Sequence, residues 1–104
     1  MTDEQLTALL AERVMGWMVG PDRFMTGNRS WLSRWRFQPV EKLADALRLL
    51  EVAAPDEYSL RGDSDGNSRV HVRLGDATDE ACSASKPCAI TWAIARAVGI
   101  EVEP

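Results

Sequence analysis

Between positions 23 and 36 the chain interleaves Arg23, Arg29, Arg34 and Arg36 with Phe24, Trp31 and Trp35. That mixture suits recognition better than bond-making. A guanidinium offers a rigid fork of donors, and an indole offers a large flat surface that loses little entropy on contact. Arginine and tryptophan are enriched at protein interface hot spots, and the same pair can stack on the bases of a single strand. A second reading stands beside these. In it, Trp31 and Trp35 pack the segment onto the core while the arginines point to water. A strand or helical turn over 31–35 would put both tryptophans on one side, as packing requires. The candidate binding surface is therefore Arg23, Arg29, Trp31, Arg34, Trp35 and Arg36.

Other residues with chemical potential fall short of a site. His71 is the single histidine, and it alternates with Arg69 and Arg73 on what reads as the wet face of a strand. Catalysis there needs a nucleophile or carboxylate brought from elsewhere. The stretch Asp63-Ser-Asp-Gly-Asn-Ser68 places oxygen side chains at three alternate positions of a calcium-type loop. Its glycine comes too early, however, and Leu74 stands where the closing glutamate is needed, so a hairpin turn is expected instead. Gly20 and Gly27 lack the spacing and the Gly-Lys-Ser/Thr ending of a phosphate loop. Cys82 and Cys88 form one loose pair with no second pair to complete a zinc site. They are expected to be free thiols, with Cys88 a small core residue. Glu12 and the acids at 76–80 read as solvated charges. No catalytic residue, metal or cofactor is assigned.

The elements that must position these residues are legible from capping and periodicity. Thr2 with Gln5 three residues on forms a capping box, and Asp3 and Glu4 suit the first turn of a helix. Leu6, Leu9, Leu10, Val14 and Trp17 fall on one stripe, which predicts a helix over 3–18 stopped by Gly20-Pro21. Residues 19–38 are irregular, with turn signals at Gly20-Pro21 and Gly27-Asn28 and a short extended piece over 32–37. Pro39 is placed at the start of a second helix whose stripe is Val40, Leu43, Leu47 and Leu50, and Ala53-Ala54-Pro55 ends it. Strands are expected at 58–61 and 69–74, around the turn-rich loop 62–68. A last helix over 86–98, capped by Ser85 and closed by Gly99, is apolar nearly all round and is expected to be the central element of the core.

Composition sets outer limits. With 104 residues, 45% apolar and 27% charged, the chain reads as one globular domain over 1–104. Its net charge of −4 arises wholly after residue 52, where nine acidic residues face five basic ones; the first 52 residues hold seven of each. An acidic chain is a poor candidate for nucleic-acid binding driven by phosphate neutralisation. No apolar run approaches the roughly 18 residues of a membrane span, and Asp3 and Glu4 stand where a secretory leader needs basic residues. A cytoplasmic location with no membrane partner is expected.

Three blocks in order, Ala11-Glu-Arg-Val-Met-Gly-Trp17, Trp35-Arg-Phe-Gln-Pro39 leading to Ala44-Asp45-Ala46, and Pro87-Cys-Ala-Ile-Thr-Trp-Ala-Ile-Ala-Arg-Ala97, resemble the phage ABA-sandwich domain family. The first block is the specific one; the others match in spacing. The loop 62–68 departs from the more aromatic segment of that family. The resemblance implies a phage or prophage origin, hence the cytoplasm of a bacterial host, and a compact α-β-α sandwich. It carries over no catalytic residue.

The expectation is thus an α+β domain of order α-(irregular)-α-β-β-α, three helices on a small antiparallel sheet. The expected function is that of a non-enzymatic phage accessory protein acting by protein–protein binding, to a host or defence protein. The alternative is a nucleic-acid or small-ligand binding module using 23–36.

Overall fold

The structure is a computed structural model that describes residues 2–27 and 30–100. Helix α1 spans Asp3–Arg13, and its capping box forms as expected: Gln5 N–H donates to Thr2 Oγ1 (3.1 Å) and Thr2 N–H to Gln5 Oε1 (3.0 Å). The helix stops before the expected residue 18. Gly16 takes a left-handed φ of 71°, and Trp17 N–H turns back onto the Ala11 carbonyl (2.9 Å). Trp17 is still buried, but it enters the core from the connection and not from the helix stripe.

The segment expected to be irregular folds into a small antiparallel sheet of its own. Strands β1 (Met18–Val19), β2 (Arg23–Met25) and β3 (Trp31–Ser33) pair in sequence order, and a 3-10 turn at Arg34–Arg36 follows. The strands are two and three residues long, too short for periodicity to reveal.

Helix α2 covers Leu43–Ala53, beginning four residues after the expected Pro39. Residues 38–42 form a turn in which the Gln38 carbonyl accepts from Glu41 and Lys42 N–H (3.1 and 2.8 Å), and the Pro39 carbonyl accepts instead from the buried Thr91 hydroxyl (2.8 Å). The shift changes the stripe: Ala46, Leu49 and Leu50 are buried, whereas Leu43 and Leu47 are exposed. Val40 reaches the core from the turn. The helix closes on Ala54 in the left-handed region, φ 47°.

The expected hairpin is present as β4 (Glu57–Gly62) and β5 (Ser68–Leu74), and it gains a third strand, β6 (Ala77–Ser83), with order β4-β5-β6. Gly75 supplies the left-handed φ (61°) of the two-residue turn before β6. Val70, Val72 and Ala81 point inward and are buried; Arg69, His71, Arg73 and Glu80 point outward. Helix α3 (Lys86–Ala97) crosses β5 and β6 and packs on its other side against α2. Eight of its residues are buried, four of them alanines, so it is the central element anticipated from its composition. The class is α+β. No described helix is long and apolar enough to cross a membrane.

Candidate functional site

The region 17–37 is organised by three aromatic rings that face inward. In β2, alternation turns Phe24 to the core and leaves Arg23 and Met25 on the opposite face. Trp17 precedes β1 and Phe37 follows the 3-10 turn. The three rings meet at centroid separations of 5.1 to 6.1 Å, tilted or edge-to-face as their quadrupoles prefer. Phe24 and Phe37 are fully buried, and the Arg48 guanidinium from α2 lies 5.2 Å from the Trp17 ring.

With the core filled by these rings, Trp31 and Trp35 are left outside, 57% and 64% exposed. The packing reading for these two residues is therefore overturned. The 31–35 segment bends from strand into 3-10 turn, and Phe24 and Phe37 occupy the volume the tryptophans would need. Trp31 stands opposite Met25, with the Arg23 guanidinium 5.1 Å from its ring centre. Trp35 carries Arg36 at 5.8 Å. Each exposed indole is thus backed by a cation, the arrangement in which cation–π attraction holds a flat surface in place.

The remaining arginines divide. Arg34 is turned inward: its guanidinium donates to the carbonyls of Gly20 (3.2 Å) and Pro21 (3.4 Å) and lies 5.3 Å from the Phe24 ring. Both bonds come from Nη1 and tie the 3-10 turn to the β1–β2 turn. Arg29 lies outside the described residues. Arg23 also bridges Asp22 (3.2 Å), and this hydrogen bond, with the charge behind it, holds the Asp22 carboxyl below its ordinary range.

Beside Trp35 runs an open groove of about 740 Å³ between the first turn of α1 and residues 34–41. Phe24, Phe37 and Val40 supply apolar lining; Asp3, Glu4 and Glu41 supply three carboxylates beside the Arg34 guanidinium, and a fourth, Asp22, is already paired with Arg23. Sequence reasoning read Asp3 and Glu4 only as helix-dipole partners. Nothing local connects them to a segment some thirty residues away, so the groove becomes visible only in the folded chain. A groove of this lining can accept a cationic, partly apolar segment.

The other sequence candidates resolve individually. Asp63 Oδ1 accepts from the N–H groups of Asp65 (2.9 Å) and Asn67 (3.0 Å), so this carboxylate closes the β4–β5 turn, as expected of a hairpin. His71 lies on the outer sheet face as expected, but half-buried between Ser59 of β4 and Glu80 of β6. Cys82 is exposed and Cys88 buried, both as free thiols, and burial pushes the Cys88 thiol up.

The model of the phage ABA sandwich domain matches residues 8–95. Among curated proteins, none matches this sequence. The crystal structure of a phage protein from Bacillus cereus ATCC 14579 superposes with a TM-score of 0.81 at 18% identity, over 99% of this chain and 93% of that one. At that identity the likeness is one of fold.

Proposed function

The chain belongs to the phage ABA sandwich domain family, and we propose that it is a non-enzymatic phage or prophage accessory protein that acts in the host cytoplasm by binding another protein. The observation that carries this reading is the exposure of Trp31 and Trp35, each backed by an arginine, beside an acidic groove. Two large rings held out of the core enlarge exposed apolar area without serving the fold, and such residues anchor interfaces. The groove's carboxylates favour a partner with a basic segment, a host or defence protein among them.

Single-stranded nucleic acid is the second reading, because the two indole–guanidinium pairs could stack bases. The neighbouring carboxylates and the net charge of −4 oppose it, since they repel phosphate.

The test uses the purified protein and a Trp31→Ala/Trp35→Ala variant as baits in lysate of infected and uninfected bacteria. Both side chains are exposed, so the variant is expected to keep its thermal midpoint. A partner retained by the parent bait, confirmed with purified components and lost with the variant, supports the proposal. Equal retention by both baits, or no partner from any host together with salt-sensitive binding to single strands, overturns it.

A further inference from the structure

We infer that a second copy of this chain docks on the open edge of β4 through an antiparallel strand pair centred on Ser59, independently of the surface described above. The two edges of the β4-β5-β6 sheet are not equivalent. On the β6 side, Arg96 of α3 donates to the Glu80 carbonyl (2.7 Å), so a side chain already occupies that edge. On the β4 side no described residue does so, and the edge presents unpaired backbone groups.

The direction of those groups follows from the register. Asp63 N–H donates to the Asn67 carbonyl (3.0 Å) at the end of the β4–β5 ladder. Antiparallel alternation then turns the backbone of Glu57, Ser59 and Arg61 toward β5, and that of Tyr58 and Leu60 toward the open side. An incoming antiparallel copy must bond to Tyr58 and Leu60. Pairing about Ser59 sets Tyr58 against Leu60 of the second copy and Leu60 against its Tyr58.

The side chains select that register. On the outer face it brings Glu57 against Arg61 of the second copy and Arg61 against its Glu57, two opposite-charge contacts generated by one twofold axis. Within the single chain, Arg61 stands opposite Arg69, a like-charge neighbour whose own carboxylate partner is Glu80 (3.1 Å). The second copy brings its Glu57, which bridges Arg73 of its own strand pair at 3.4 Å, within reach as the carboxylate that Arg61 lacks. Sliding by one pairing step loses the match: one direction sets Glu57 against Asp63, the other sets Arg61 against Pro55. On the inner face, Tyr58 and Leu60 share a side with buried Val72 and Val70 and yet are 53% and 40% exposed. They are apolar surface that a neighbouring strand would cover.

Sedimentation velocity over a concentration series tests the inference. The wild type is expected to shift from monomer to dimer as concentration rises. Glu57→Arg and Arg61→Glu each turn both contacts repulsive, and each is expected to weaken self-association about tenfold, since two opposite-charge cross-strand pairs become like-charge pairs. When the two variants are mixed in equal amounts, each contact of the heterodimer again pairs an acid with a base, so association returns to near the wild-type strength. Circular dichroism of each variant confirms that it is folded before mixing. A wild type that stays monomeric at every concentration overturns the inference, as does a mixture that associates no better than its components. Loss of the dimer in the Trp31→Ala/Trp35→Ala variant also overturns it, because the contact would then run through the other surface.

Discussion

Thr91 shows how one hydroxyl can fix the join between two elements. It is fully buried in α3, and its Oγ1 donates to the Pro39 carbonyl, a bond that spans 52 residues of sequence. Thr91→Val keeps the shape but orphans that carbonyl, so urea unfolding is expected to show a loss of about 1–3 kcal/mol, with Thr91→Ser losing less. The same bond explains an error of sequence reading. Pro39 is well suited to open a helix, but its carbonyl is committed to Thr91 and the helix starts at Leu43. A long-range hydrogen bond leaves no trace in local spacing. The cysteines give a second expectation at this scale. Iodoacetamide should label one thiol, Cys82, in the folded protein and two in denaturant, read by mass spectrometry. Burial raises the Cys88 thiol above its unfolded value. Its neutral form therefore contributes stability fully below about pH 8.5, and the contribution falls as pH rises above that. Between about pH 7 and about pH 10 the wild type should lose more stability than Cys88→Ala.

At the scale of elements, a side-chain cap located a helix start where a lone proline did not. The Thr2 box and the Ser85 cap lie where their residue types suggest, because both are contained within four residues. The end of α2 carries a visible defect. Ala54 adopts a left-handed conformation that costs an L-residue with a Cβ. Ala54→Gly is expected to stabilise by about 0.5–1 kcal/mol, seen as a higher urea midpoint at unchanged slope. Strand β6 is hidden in the sequence because its inward positions, Ala77, Asp79, Ala81 and Ser83, are small or polar and give no apolar alternation. The Gly75-Asp76 turn was the available signal. The β1–β2–β3 sheet offered only its turn residues and a short extended piece, since strands of two and three residues carry no periodicity.

For the whole molecule, stability is distributed unevenly. Helix α3 contacts α2, β5 and β6, whereas β1 to β3 contribute mainly the buried Phe24. Hydrogen exchange is expected to proceed in α3 only through global unfolding, and in β1 and β3 through openings of lower free energy. Equal protection in both would show one cooperative unit. Of the candidate surface, its residues were legible but its geometry was not: Arg34 faces inward, and the two tryptophans stand outside because Trp17, Phe24 and Phe37 claim the interior first. One consequence concerns which positions this chain can change. Four buried positions of α3 are already alanine, the smallest side chain with a Cβ, so enlargement there meets packed neighbours and reduction leaves glycine in a helix. Mutational freedom is thereby pushed outward. The exposed rings and charges can be replaced at little structural cost, while the central helix stays confined to a narrow choice of residues.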